Sequence, residues 1–332
     1  MGVVAMTLAQ GTSILVGAAL GESMAAPSLL QRSALMPGWT RRLARELVTF
    51  GDEQHVTDHV SPFGLNVTPT PLVWGPGDAT DWMAWRADCF RRGVDVERAW
   101  RELADSRDEV RGRISAMSAL DQIAKTTAPP RGDQNPHSHD DAAALRALAL
   151  SAVGCGRRHI LEDAAYTASG DGLTAALLMH DAVAGLASGA VSPQNWDALR
   201  RGAGDSRLVA RWCEVVAAME RTSGPWELAV ELAMSADAVY SYGSMAAETV
   251  PVALGLVVAG VDRDPLEVMA ASLQLHRQSA TLPVLVGALL GASRRPQEWP
   301  ARLVDLARTP SGCSIAATRK LDLIVLEGAS NG

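Results

Sequence analysis

The sequence contains few basic residues for its length, and almost no lysine. Its 30 basic residues include only two lysines, Lys125 and Lys320, and 37 acidic residues outnumber them, which gives a formal net charge of -7. Surfaces that bind nucleic acids or anionic membranes need clustered positive charge. We therefore expect this chain to bind neither a nucleic acid nor a membrane.

Cysteine is also scarce, and no two cysteines have the close spacing of a zinc site or a redox dithiol. Free thiols fit a reducing compartment, so we expect a cytoplasmic protein. The apolar run over residues 1–26 has no basic residue before Arg32, unlike a secretory signal, and we interpret it as a buried first helix. The four cysteines are Cys89, Cys155, Cys213 and Cys313.

Aromatic residues make up only 5% of the chain, and runs of alternating β-branched residues are rare. Alanine, leucine, arginine and glutamate dominate instead, and these residues favour helix. With 48% apolar residues, the chain can bury a sizeable core. We predict an all-α fold and, because no stretch resembles a hinge, a single domain over residues 1–332.

Two helix starts can be read directly from capping residues that precede a proline. Ser192-Pro193 and Asp264-Pro265 have this arrangement, and Glu267 stands where a capping box needs it. They predict helices over 193–201 and 265–276. Further helices are predicted at about 39–49, 80–92, 95–105, 108–125, 141–152, 158–168, 172–188, 206–221, 226–240, 245–259, 282–292 and 298–308.

Two stretches lack a helical pattern, residues 61–77 and the polar run TTAPPRGDQNPHSHDD at residues 126–141. We predict the second to be a mobile loop. Its end is rich in metal-ligand types, and two interpretations stay open: a metal site, or the polar side chains that solvated loops commonly collect. The residues concerned are His137, His139, Asp140 and Asp141.

Four segments, in the order found in one known family, carry a resemblance. The first is VGAALGESMAAP at residues 16–27, similar to an opening helix with the signature Gly-Asp-x-x-Gly-x-Pro. Gly21 and Pro27 match, whereas Glu22 replaces the aspartate and Leu29 replaces a frequent glutamate. The second is GPGDATDWMAW at residues 75–85, which resembles a metal-binding Thr-Asp-Asp-Thr loop. Its four positions here are Gly77, Asp78, Ala79 and Thr80.

The third segment is similar to a stretch with a Gly-Asn-Gly-x-x-Met-Arg motif followed by Asp-Ala-x-x-Thr-His. It matches at Arg146, Asp163, Ala164 and Thr167, while Ala168 replaces the histidine. The fourth is similar to a Glu-Thr-x-Pro helix followed by a Gly-Gly-Asp-x-Asp-Thr helix start. The first part matches at Glu248, Thr249 and Pro251; the second part reads His276, Arg277, Gln278, Ser279, Ala280 and Thr281, where only the threonine matches.

Together these segments make the chain similar to the ADP-ribosylglycohydrolase family, whose members hold two magnesium ions between the two aspartate-rich loops. The resemblance implies an orthogonal multi-helix bundle and hydrolysis of an N-ribosidic bond. Of the metal-ligand positions, it leaves only Asp78 and Thr281 with suitable residues. Since hard cations need several oxygen ligands, we predict no metal, no binuclear magnesium centre and no other cofactor.

The resemblance also places the cleft between residues 75–85 and 276–281. Asp78 is our first candidate for the general base, with helix N-cap as the alternative, and Glu22 is the second candidate. Tryptophans that flank the first loop could stack on a flat base, or belong to the core: Trp74, Trp82 and Trp85. Tyr240 and Tyr242, which precede the Glu248 helix, offer the same choice. The expected substrate-binding residues are Trp82, Thr80, Asp81, His276, Arg277, Gln278 and Thr281.

A guanidinium from Arg277, with His276, could take the place of the metals beside a phosphate or a ribose diol; the alternative is an exposed basic helix end. Glu248 and Arg146 are predicted to form a buried ion pair that orients the loops.

Three hypotheses about function follow. The first is a metal-independent hydrolase of ribosylated small molecules, such as ADP-ribose-like or nucleoside-like compounds, in specialised metabolism. The second is an inactive relative that binds an ADP-ribosyl ligand or a protein. The third is a magnesium-dependent member with ligands in HSHDD. The sequence leaves the aglycone and the oligomeric state open.

Overall fold

The protein is all-helical throughout the part of the chain that the structure describes. The computed structural model describes residues 8–34, 53, 75–126, 129–189, 206–235, 243–275, 277–293 and 298–327. The helices in these residues are α1 (Leu8–Ala34), α2 (Asp78–Arg91), α3 (Val96–Ala104), α4 (Ile114–Lys125), α5 (Ala142–Ala152), α6 (Arg157–Ala164), α7 (Gly170–Ala187), α8 (Arg207–Met219), α9 (Pro225–Ser235), α10 (Ala246–Gly260), α11 (Pro265–Ser272), α12 (Leu282–Ala292) and α13 (Ala301–Ala307).

The all-α prediction is confirmed, and most predicted helices lie within a few residues of their predicted bounds. The predicted start of α11 is also confirmed, since the Asp264 side chain accepts a hydrogen bond from the Leu266 amide and Pro265 follows it. The predicted helix over 108–125 begins later, at Ile114, because residues 107–109 form a short 3-10 turn. The helices predicted over 39–49 and 193–201 lie outside the described residues. No described helix has the length and apolar character needed to span a membrane.

Helices α1 and α12 pack backbone against backbone because both have glycine where they cross. A Cβ atom at Gly17 would overlap the Gly287 carbonyl, and one at Gly21 would overlap the Pro283 carbonyl. Only glycine permits such a close approach. Every residue of α12 is buried. This contact brings Glu22, next to Gly21, close to the chain that enters α12.

A second, smaller core lies among helices α2 to α4 and contains three tryptophans. The ring centroids of Trp82 and Trp85 lie 5.4 Å apart in an edge-to-face arrangement, and Trp100 lies 5.8 Å from Trp82. Of the two interpretations given to Trp82 and Trp85, the core interpretation agrees with their exposures of 5% and 8%. Trp74, Tyr240 and Tyr242 lie outside the described residues.

The predicted ion pair between Glu248 and Arg146 is wrong. The Nε of Arg146 lies 2.7 Å from Oδ2 of Asp163, and the Nε of Arg86 lies 2.6 Å from Oδ1 of the same residue. All three side chains are buried, and Glu248 is half-buried elsewhere. The carboxylate that neutralises Arg146 therefore comes from α6 and not from α10.

The segment predicted as a mobile loop is packed in its described part. The side-chain amide of Asn135 is buried and donates to the Ser115 carbonyl at 2.8 Å. The Asp141 amide donates to the Ser244 carbonyl, and the Ala246 amide donates to the His139 carbonyl, both at 2.9 Å. These bonds fix the start of α5 against the start of α10, with Asp141 inside and the His139 side chain in solvent.

Candidate functional site

Glu22 caps helix α2 from a distant part of the chain. Its Oε1 accepts a hydrogen bond from the Ala79 amide at 2.9 Å, and its Oε2 accepts from the Thr80 amide at 2.9 Å and the Thr80 hydroxyl at 2.6 Å. The first amides of a helix have no partner within it, and their dipoles favour a negative charge. Asp78 is the first residue of α2, and Gly77 at the N-cap position has no capping side chain. Glu22 thus supplies the cap that was one of the two roles considered for Asp78.

The guanidinium of Arg113 lies among the acidic residues of the cleft. Its Nη2 donates to the Thr281 hydroxyl at 2.5 Å and to the Ala280 carbonyl at 3.4 Å. Its Nε lies 3.3 Å from Oδ1 of Asp141, and its Nη1 lies 3.7 Å from Oδ2 of Asp78. One arginine side chain therefore connects the start of α2, the start of α5 and the start of α12.

The segment Arg111-Gly112, which packs against the Trp82 ring, directs Arg113 into the cleft. The Trp82 ring nitrogen donates to the Arg111 carbonyl at 2.8 Å, and the Arg111 amide donates to the Ser314 carbonyl at 3.0 Å. Gly112 lies so close to the indole that a Cβ atom would overlap its ring nitrogen. Arg111 is thus held before this glycine and Arg113, the N-cap residue of α4, follows it, and the side chain of Arg113 lies in the cleft with 15% exposure.

Two acidic residues precede α5 and have different partners. Asp140 accepts from the Ser115 hydroxyl at 2.6 Å and from the Ser115 amide at 3.0 Å, which caps α4. Asp141 is fully buried, and its Oδ2 accepts from the Thr249 hydroxyl at 3.1 Å. Its Oδ1 has no hydrogen-bond partner among the described residues. Asp141 thus depends on Arg113 for compensation of its charge.

Burial dominates the electrostatics of this cluster. It raises the pKa of Glu22 to about 7, helped by the charge of Asp78 and opposed by the hydrogen bonds from Thr80 and Ala79. Burial also raises the pKa of Asp141 to about 7, although Arg113 acts in the opposite direction. The pKa of Arg113 is lowered by burial but raised further by Asp141, Asp78, Asp140 and Glu22, so it lies above its ordinary value. The guanidinium is therefore charged at neutral pH, when both buried carboxyl groups are near their midpoints.

A small cleft borders this cluster and encloses about 240 Å³, part of it open to solvent. Asp78 stands at it with 33% of its side chain exposed, whereas Glu22 is 2% exposed and Asp141 is fully buried. Asp78 is thus the most accessible of these three carboxylates. The cleft is lined by Asp78, Ala79, Trp82, Arg113, Ala116, Ala142, Leu145 and Arg146.

Four of the residues predicted to bind substrate have partners within the protein. Asp81 is buried, and its oxygens accept hydrogen bonds from the Gly312 amide at 2.9 Å, the Ser314 amide at 2.8 Å and the Thr318 hydroxyl at 3.0 Å. It therefore fixes the C-terminal segment to α2. Thr80 binds Glu22, Thr281 accepts from Arg113, and only Trp82 of the four also lines the cleft.

The remaining predicted residues belong to the segment before α12. Gln278 is buried, and its Oε1 has no hydrogen-bond partner in the described part of the chain. Arg277 is exposed, so the guanidinium between Asp78 and Thr281 is that of Arg113. His276 lies outside the described residues.

Comparison with known proteins agrees with this architecture. The family model for ADP-ribosylglycohydrolases matches residues 8–325. The chain belongs to the ADP-ribosylglycohydrolase family. A solved structure of an ADP-ribosylglycohydrolase-related protein complex aligns over 96% of this chain and 98% of its own, with a TM-score of 0.57 and 16% identity. Identity this low shows a common fold only. No curated protein matches the sequence significantly.

The residues at the cleft of this ADP-ribosylglycohydrolase-family chain do not fit two magnesium ions. Such ions need several oxygen ligands, preferably carboxylates. Gly77, Ala79, Gln278 and Ala280 supply no carboxylate, and the charged Arg113 lies between Asp78 and Asp141, where it would repel a divalent cation. Within the described residues, no group of three or more His, Cys, Asp or Glu side chains is placed to hold a metal ion.

Proposed function

We propose that this member of the family hydrolyses an N-ribosidic bond of an ADP-ribose-like or nucleoside-like small molecule without a binuclear magnesium centre. The observation that carries the proposal is the position of Asp78. It is a part-exposed carboxylate at a cleft, beside a fixed guanidinium 3.7 Å away, and its backbone is held at the first turn of a capped helix. Glu22, the second candidate, uses both oxygens to cap that helix, which leaves Asp78 as the general base.

The reaction needs a general base, which activates a water molecule on one side of the ribose carbon C1′. In the proposed step, the bond between C1′ and the base nitrogen breaks, and its electron pair leaves with the base. A water oxygen bonds to C1′, Asp78 takes the proton of that water, and the leaving base takes up a proton from solvent. The positive charge that develops on the ribose meets favourable surroundings, since four carboxyl groups face one guanidinium here. The small exposed parts of Trp82 and Leu145 line the cleft with apolar surface.

A catalytically inactive relative that binds an ADP-ribosyl ligand or a protein partner is the second candidate. The size of the cleft favours it, because the 240 Å³ includes open solvent and is therefore an upper bound, and even this bound is below the ~300–1,000 Å³ typical of small-molecule sites. The pairing of Asp78 with Arg113 favours it too, since this carboxylate already has a partner within the protein. The cytoplasmic location, the single domain and the role in specialised metabolism stay predictions.

Turnover of a panel of N-ribosides in the presence of EDTA tests the proposal. We expect product from at least one compound with the wild type, and a ~10²–10⁴-fold loss of kcat in Asp78→Asn, the range for a missing general base. Asp88→Asn, at the other end of α2, is the matched control and should keep full activity. Activity that appears only with magnesium would contradict the proposal. Calorimetric binding of ADP-ribose without turnover of any compound would favour the inactive relative.

A further inference from the structure

The geometry points to Arg113 as a built-in cation that takes the place of divalent metal ions and holds together the starts of α2, α5 and α12. It is a positioning residue, because the groups that it contacts belong to the protein itself. This role of Arg113 is the same whether the chain is a hydrolase or a binding protein.

The contacts of Arg113 resemble those of a bound ion more than those of a surface arginine. Its three guanidinium nitrogens contact oxygens from three separate helix starts: Asp78 on α2, Asp141 before α5 and Thr281 before α12. The side chain is only 15% exposed. A cation in this position reduces the repulsion among carboxylates that would otherwise separate these segments.

Two unpaired atoms indicate that charge, rather than hydrogen-bond geometry, holds this contact. The Nε of Arg113 and Oδ1 of Asp141 lie 3.3 Å apart, yet neither makes a hydrogen bond to a described residue. Both atoms are buried. A buried carboxylate without a countercharge is costly, so if the guanidinium leaves, Asp141 must either take up a proton or gain another cation.

The backbone keeps Arg113 from turning out into solvent. Residue 113 directly follows Gly112, which is packed against the Trp82 indole, and directly precedes α4. The segment is also bonded to the C-terminal part of the chain through Arg111 and Ser314. An arginine that is fixed at both ends of its backbone segment stays in the cleft and excludes a second cation from the same oxygens.

Replacement of Arg113 should convert these oxygens into a weak site for a divalent ion. Magnesium and manganese are often bound through one or two carboxylates, with water completing the shell. Asp78, Asp141 and the Thr281 hydroxyl would supply that minimum once the guanidinium is removed. Arg113→Ala both removes the charge and leaves space, whereas Arg113→Met removes the charge but fills the space, and Arg113→Lys keeps a charge.

Manganese titration followed by electron paramagnetic resonance tests the inference without any substrate. We expect Arg113→Ala to bind one Mn²⁺ at least about tenfold more tightly than the wild type, because a like charge at contact distance is gone. Arg113→Met and Arg113→Lys should show no gain. Asp78→Asn added to Arg113→Ala should abolish the gain and thereby locate the ion.

Two results would overturn the inference: Mn²⁺ binding by the wild type as tight as that of Arg113→Ala, or a folded Arg113→Ala that gains no binding. If Arg113→Ala does not fold alone, refolding with and without millimolar Mn²⁺ decides the matter. Recovery of folded protein only with Mn²⁺ supports the inference, and no recovery with Mn²⁺ contradicts it. Turnover does not enter these measurements, so they remain informative even if the proposed hydrolysis is wrong.

Discussion

Two regions of this molecule bury arginine beside carboxylates, with opposite balances of charge. In the core network, Asp163 lies between Arg86 and Arg146. In the cleft cluster, Arg113 faces Asp141, Asp78, Asp140 and Glu22. The first region has more positive charge than negative, and the second has the reverse.

The two balances of charge shift the pKa values of the buried acids in opposite directions. Burial raises the pKa of Asp163, but Arg146 and Arg86 lower it further, so its pKa lies below the ordinary value. In the cleft cluster, burial prevails and the pKa values of Glu22 and Asp141 are both about 7. A carboxylate that stays ionised over the physiological range serves the fold, whereas acids poised near neutrality are typical of functional sites.

The largest expected effect on stability comes from replacing Asp163, the acid of the core network. Asp163→Asn leaves two buried guanidinium groups without a countercharge, and the expected loss in the free energy of unfolding is about 3–5 kcal/mol. Urea denaturation measures it, with Asp181→Asn as the control, since Asp181 pairs with Arg157 on the surface. A loss no larger than that of the control would mean that the core network is not structural.

The core network should also make the stability of the fold depend on pH, with stability decreasing as the pH falls. Because the pKa of Asp163 is lower in the folded state, its contribution is present above the unfolded pKa and is lost as pH falls toward the folded one.

Glu22 in the cleft cluster should make the free energy of unfolding depend on pH in the opposite direction, with an effect of about 3 kcal/mol. A carboxyl group whose folded pKa is raised binds more protons when folded, so its contribution to stability falls as pH rises. For Glu22, the window runs from the ordinary value of 4.5 to about 7. Glu22→Gln cannot titrate, so its free energy of unfolding, measured from pH 4.5 to 7.5, should fall less with pH than that of the wild type. Equal slopes would show that Glu22 titrates normally.

The fold and part of the cleft cluster could be predicted from the sequence because their residues belong to short, recognisable motifs. The glycines of α1, the Glu22 position, Asp78 and Thr281 stand in recognisable segments, and the structure brings them together. Arg113 had no such signal, since an isolated arginine before a helix is ordinary on a protein surface. Its partners lie 28 to 168 residues away in the chain, from Asp141 to Thr281. The error at Arg146 has the same cause, because several acids were available and only packing selects among them.

The smallest expected effect on stability is that of Asp78→Asn. It is compared with Asp81→Asn, because both aspartates lie on the first turn of α2. Asp81→Asn should destabilise the fold, because an amide nitrogen would face a donor where Asp81 now accepts from Gly312, Ser314 and Thr318. Asp78→Asn should change the free energy of unfolding by no more than about 0.5 kcal/mol, because Glu22 supplies the cap and other carboxylates still face Arg113. Urea denaturation of both variants at one pH makes the comparison. A loss in Asp78→Asn as large as that in Asp81→Asn would make Asp78 a structural residue, and a fall in its turnover could then no longer be attributed to a missing base.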